Sequence, residues 1–311
     1  MKKILLILLL FSKGIDVQSQ YRTDTSYTIK STYTKLIKKY PFITIARAHN
    51  SSIEEQMKDV VYDRQKNRTL HFDAFFNKKK KLNPAVILIH GGGWRSGNKN
   101  QMQDMAQEIA SKGYSCFAIE YRLSLEAKYP EGIYDVKNAI RFIKDNAKRF
   151  NVDPDKIAVL GCSSGGQMAA LIGTTNENPA FDDMTNKSKS SSKVNAIIDI
   201  DGVLAFKHPE SSEGEMAAFW LNGTYEENPE NWKNASALSH TDKNTPPVLF
   251  INSSFARFHA GRDDMIAILN QNKIYSDVKT IENSPHSFWF FQPWFDETIV
   301  YTTQFLDKFF K

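Results

Sequence analysis

Cysteine is scarce: there are two in 311 residues, Cys116 in an apolar run and Cys162 in a glycine-rich turn, and neither belongs to a C-x-x-C pair. Two thiols cannot build a disulfide scaffold, and no cluster of Cys, His or carboxylates has metal-ligand spacing. Both cysteines therefore read as small buried side chains, and no metal or other cofactor is expected. Long hydrophobic runs are missing as well. No stretch reaches the roughly 18 apolar residues that would cross a bilayer, so no stable membrane insertion is expected. One-sided charge is also absent, with 40 Lys+Arg against 35 Asp+Glu. The only dense basic run, Lys78 to Lys81, has no interleaved aromatics and reads as a solvated turn, which argues against a nucleic-acid partner.

What remains is the composition of a globular chain, 41% hydrophobic and 24% charged, with 21 Phe to fill a core. Met1-Lys-Lys followed by the eight-residue apolar run Ile4 to Phe11 has the form of a secretory signal, with cleavage expected near Ser19. The mature protein is then expected to be secreted or periplasmic. Residues 20–54 read as a loosely ordered, polar lead-in, and residues 55–311 as one catalytic domain without repeat or linker.

Within that domain the hydrophobic period switches repeatedly. Met57–Tyr62 and Leu70–Phe76 read as a hairpin, followed by strands at Ala85–Ile89, Ser115–Tyr121, Ile157–Leu160, Val194–Ile200, Val248–Ile251 and Val278–Ile281. Helical spacing appears over Met102–Ala110, Tyr134–Phe150, Gln167–Ile172, Ala260–Asn272 and Trp294–Phe310. Strands alternating with helices predict an α/β fold, a mostly parallel central sheet with helices on both faces. A long insertion holding Trp220 and Trp232 follows the sixth strand.

Two glycine motifs carry chemistry. Gly161-Cys162-Ser163-Ser164-Gly165 matches G-x-S-x-G between an apolar strand and a small-residue helix, a turn that lifts the central hydroxyl above a sheet and nominates Ser163 as nucleophile. His90-Gly91-Gly92-Gly93-Trp94 follows an earlier strand, and bare backbone there lets N–H groups approach an oxygen closely. Gly92, Gly93 and Ser164 are the expected oxyanion-hole donors, while His90 reads as structural. A serine hydroxyl also needs a base. Among seven histidines His286 is favoured, because it sits on a Pro-containing loop after the last strand.

These motifs, together with Tyr121-Arg-Leu123, Tyr129-Pro130, Asp135, Asp153-Pro-Asp155 and Pro285-His-Ser-Phe288, resemble an α/β-hydrolase of the hormone-sensitive-lipase-like esterase group. More narrowly, the chain is similar to secreted bacterial carbohydrate esterases that remove acetyl or related acyl groups from plant polysaccharides. The resemblance covers roughly residues 55–311 and implies the α/β-hydrolase fold and a small-molecule or carbohydrate ester as substrate. One departure stands out. The acid that orients the histidine usually follows the strand Val248–Ile251, yet that segment reads Asn252-Ser-Ser-Phe-Ala-Arg-Phe258. Asp201, after the preceding strand, is favoured in its place, with Asp263, Asp264 and Glu282 as rivals. Trp94 and Trp289 are the substrate-binding candidates, and Trp220, Trp232 and Trp294 could stack on sugar faces in the same way. Competing readings are an esterase of lipid-like, feruloyl or methyl esters, a peptidase of the same fold, and a non-catalytic carbohydrate-binding module.

Overall fold

The structure is a computed structural model and describes residues 24–49, 53–65, 68–78, 81–176 and 178–311. The signal expected over residues 1–19 lies outside the described residues, as do Lys79 and Lys80 of the basic run. In chain order the elements are α1 (Ile29–Leu36), β1 (Thr44–Ile45), β2 (Glu55–Gln65), β3 (Arg68–Phe76), β4 (Asn83–Ile89), α2 (Gln103–Ser111), β5 (Ser115–Ile119) and α3 (Glu131–Asp145). There follow β6 (Val152–Cys162), α4 (Ser164–Thr174), β7 (Ala196–Ile200), α5 (Glu215–Trp220) and α6 (Pro229–Ala235). The chain closes with β8 (Val248–Asn252), α7 (Arg262–Gln271), β9 (Ser276–Thr280), β10 (Phe291–Gln292) and α8 (Trp294–Phe310).

Eight strands form one sheet in the order β2-β3-β5-β4-β6-β7-β8-β9. The β2–β3 and β3–β5 pairs are antiparallel and every later pair is parallel. All seven residues of β4 are buried, as a strand covered on both faces requires. Its side chains alternate: Ile87 and Ile89 join the core under α3, α4 and α7, whereas Val86 and Leu88 join the one under α2 and α8. Both faces of the sheet are therefore covered by helices, and α5 and α6 lie in the insertion between β7 and β8.

Several element boundaries shift by a few residues from the sequence reading, and three departures from it have local reasons. Helix α3 spans Glu131–Asp145, ahead of the expected Tyr134–Phe150. Phe150 keeps the helical spacing but reaches the core from a turn, packing edge-on against Phe72 and Phe117. Helix α4 begins at Ser164, directly after the elbow, although two glycines occupy its first turn. Residues 24–49 are not a loose lead-in. Thr28 and Ser31 cap α1 reciprocally, β1 pairs with β10, and the Tyr40 ring meets Trp294 at 5.5 Å.

Parallel pairing brings four strand ends to one edge of the sheet. Ile89 is level with Gly161, Cys162 with Ile200, and Ile200 with Ile251. The loops leaving these strands therefore start within a few residues of one another, in the crevice beyond the carboxyl ends where open α/β sheets bind ligands. Nearby, the Arg122 guanidinium grips the fully buried Asp135 carboxylate at 2.7–3.0 Å and reaches Glu131 at 2.8 Å. This pair ties the loop after β5 to the start of α3. Removing one partner of such a buried pair typically costs about 3–5 kcal/mol, because the other charge is left uncompensated.

Candidate active site

Strand β6 runs into α4 through a single residue. Ser163 takes φ +56° and ψ −122°, a conformation that costs a side-chain-bearing residue on the order of 1–3 kcal/mol and persists only where its surroundings enforce it. Here the Ser163 N–H donates to the Ile200 carbonyl at 2.8 Å. The flanking glycines are required by close approach: a Cβ on Gly161 would overlap the Gly165 carbonyl, and one on Gly165 would overlap the Ile89 carbonyl. Strand and helix can meet this tightly only with both side chains absent, and the turn they make presents the Ser163 hydroxyl to the crevice.

The structure brings Ser163, His286 and Asp201 into one hydrogen-bonded line. Ser163 Oγ lies 2.8 Å from His286 Nε2, and His286 Nδ1 lies 2.9 Å from Asp201 Oδ2. A carboxylate only accepts, so Nδ1 carries the proton and Nε2 is left to accept from the serine. Asp201 is buried at the end of β7 with φ +53°. Its Oδ1 accepts from the Ser253 N–H at 2.8 Å, and its own N–H donates to the Ile251 carbonyl at 3.0 Å. The segment after β8, which carries no acid, thus supplies a backbone donor to the acid after β7.

The rival acids are engaged elsewhere. Asp263 pairs with Arg262 at 2.8 Å on the surface, Asp264 binds His208 Nε2 at 2.9 Å, and Glu282 is exposed. Behind the elbow the buried Asp199 is a further carboxyl, pushed well above the usual range first by burial and then by the charge of Asp201. His90 is buried, stacks on Tyr121 at 4.5 Å and bonds the Gly91 carbonyl at 2.8 Å. Burial holds its imidazole down at about 4. It is neutral and structural.

Gly92 (φ +131°) and Gly93 (φ +61°) face Ser163 across the crevice. Among the described residues no hydrogen bond uses the N–H of Gly92, Gly93 or Ser164 as donor. All three border a cavity of about 750 Å³ that also contains Ser163 and His286, a size typical of ligand sites.

The two tryptophan candidates have different fates. Trp94 borders the cavity, but its indole stacks on Trp220 at 4.7 Å and donates through Nε1 to Gln167 Oε1 at 2.9 Å, which anchors the glycine loop to the insertion and to α4. Trp289 does not border the cavity. It is buried and sets its ring edge-on to His286 at 5.3 Å, packed against that imidazole and not offered to the cavity as a sugar platform. Trp220, Trp232 and Trp294 are likewise buried core residues.

Other walls of the cavity were not singled out from sequence. Tyr27 and Lys35 come from the N-terminal segment, Met216 from α5, and Phe258 from the acid-free loop. Phe258 stacks on the His286 imidazole at 3.4 Å, nearly parallel. No motif marks any of them, because each reaches the site through tertiary packing.

Comparison with known proteins agrees with this architecture. The BD-FAE family model matches residues 72–274. Esterase LipC of Mycobacterium tuberculosis is 29% identical over 209 residues, covering 65% of this chain and 49% of its own length. The chain spans about half the length of the curated relatives it matches. Among solved structures, a truncated carbohydrate esterase from gut microbiota superposes with a TM-score of 0.69 at 21% identity, covering 84% of this chain and all of that one. An esterase of the planctomycete Thermogutta terrifontis superposes at 0.67 and 22% identity, covering 82% and 91%. At such identities the structures speak to fold alone. The family model spans more than half of the sequence and includes the elbow, the glycine loop and Asp201, and the chain belongs to the BD-FAE family.

Proposed function

We propose that the protein is a serine esterase that removes small acyl groups, acetyl foremost, from carbohydrate esters, and that residues 1–19 direct it out of the cytoplasm to meet a polymeric substrate. The observation that carries the catalytic part is the line from Ser163 Oγ through His286 to Asp201 beside three amides that have no acceptor among the described residues. His286 Nε2 takes the hydroxyl proton as Oγ bonds to the carbonyl carbon, and the amides of Gly92, Gly93 and Ser164 receive the oxyanion. Collapse breaks the bond to the leaving oxygen, which takes the proton from His286 and departs as the alcohol. Water then repeats the sequence on the acyl-serine and releases the acid.

Support for a small acyl group comes from Met216, whose methyl sits 2.8 Å from where a Cβ on Gly93 would lie and so narrows the cavity beside the glycine loop. The named carbohydrate esterase among the structural neighbours supports the sugar part, as does a cavity large enough for more than the acyl group. An ester panel tests both parts at once. Acetate release from acetylated xylan or pectin is expected to exceed ferulate release from feruloylated oligosaccharides. A preference for ferulate would overturn the acyl assignment, and inactivity on every ester including p-nitrophenyl acetate would overturn the esterase reading.

A further inference from the structure

The N-terminal segment touches both loops that make the site. On one side Asp24 Oδ2 accepts from Arg95 Nε at 3.1 Å, Asp24 and Ser96 form an isolated parallel bridge, and Gln101 Nε2 donates to the Tyr27 carbonyl at 3.0 Å. Ser96 passes that hold inward, since its N–H and its hydroxyl both donate to the Gly92 carbonyl, at 3.0 and 3.1 Å. On the other side the Tyr27 hydroxyl is hydrogen-bonded to Ser287 Oγ at 3.0 Å in a part-buried position, one residue from His286. The Tyr27 ring also meets Phe290 at 6.0 Å, and the Ala46 N–H donates to the Phe290 carbonyl at 2.9 Å.

We propose that residues Asp24–Leu36 act as a clamp that holds the glycine loop and the His286 loop at one separation, with Tyr27 as its positioning residue. These two loops are more than 180 residues apart in sequence, and the N-terminal segment bonds to both of them beside the line that runs through Ser163, His286 and Asp201. A second brace matters because the oxyanion donors and the base act on the same carbonyl at the same moment. The Asp24–Arg95 pair, partly open to solvent, adds little stability by itself. What it and Tyr27 add is geometry, and a displacement of about 1 Å at a reacting group can cost on the order of 10²-fold in rate.

The rate arm of the test rests on the esterase reading, and the exchange arm does not. Tyr27→Phe keeps the half-buried ring and removes only the hydroxyl, and Ser287→Ala removes its partner. Each is expected to lower kcat about 10-fold, within the range that loop misplacement produces, with KM within about twofold and the thermal midpoint unchanged. Because the two changes break one bond, the double variant should be no slower than either single one. Amide hydrogen exchange over residues 285–292 should quicken in both. Wild-type kcat and exchange in the single variants, or losses that multiply in the double variant, would overturn the clamp. If the wild-type protein hydrolyses no ester, the esterase reading fails and the exchange result alone decides the clamp.

Discussion

Ser163→Ala is expected to lower ester turnover by on the order of 10⁶-fold while leaving the fold intact. The loss is large because Ser163 is the elbow residue whose hydroxyl lies 2.8 Å from His286 Nε2, where its proton can pass to the base as the acyl intermediate forms. What survives is the contribution of binding and of the amides, roughly 10³–10⁴-fold over water. Stability should change little. The strained backbone at position 163 is imposed by the close approach of β6 and α4 and by the bond to Ile200, and alanine keeps both. Measuring turnover of p-nitrophenyl acetate beside the thermal midpoint checks both halves. Turnover within tenfold of wild type at an unchanged midpoint would remove Ser163 from the mechanism.

Asp201→Asn is expected to cost about 10⁴-fold in turnover, and the surroundings dictate why. The Ser253 N–H points at Oδ1, so the oxygen of the introduced amide must stay there and its NH₂ must face His286. A donor opposite Nδ1 forces that nitrogen to accept, which places the imidazole proton on Nε2. The base then faces the serine hydroxyl with a proton of its own and cannot take another. Asp263→Asn and Asp264→Asn should stay within a few-fold of wild type, since their carboxylates are 73% and 65% exposed and serve Arg262 and His208. Surface pairs of this kind contribute about 0–1 kcal/mol. Turnover for all three at one pH, with thermal midpoints, separates lost chemistry from lost stability. A dead Asp263→Asn or Asp264→Asn beside an active Asp201→Asn would move the acid into α7.

Much of this was readable because local chemistry and global fold agree at the elbow. Gly161 and Gly165 are demanded by backbone contact, the apolar run before them is a buried strand, and a motif with that context is rarely a bare turn. The closing helix was equally plain, since Trp294, Phe295, Ile299, Phe305, Leu306 and Phe310 recur on one face of it, with Thr298 and Thr302 between them. Legibility fails where tertiary packing decides. Gly165 and Gly166 hide the start of α4, because intrinsic propensity disfavours glycine while a crowded strand-helix crossing requires it. Tyr27, Tyr33 and Tyr40 look like scattered aromatics in a polar stretch, and only the folded C-terminal segment reveals their partners Phe290, Phe291 and Trp294. A T-x-x-S cap at Thr28 was the one available hint of α1. For Trp289 the proximity to His286 in sequence was real, but a ring three residues along a tight turn folds behind the imidazole and not over the cavity.

The central claim is that Ser163 Oγ is a nucleophile made ready by His286. Its most direct test is the intact mass of the protein after incubation with a p-nitrophenyl alkylphosphonate, in which serine oxygen bonds to phosphorus and p-nitrophenolate leaves. The account predicts one adduct per chain, mapped to the peptide holding Gly161–Gly166, absent in Ser163→Ala and formed far more slowly in Asp201→Asn. An unlabelled wild-type protein, or an adduct on any residue other than Ser163, would contradict it.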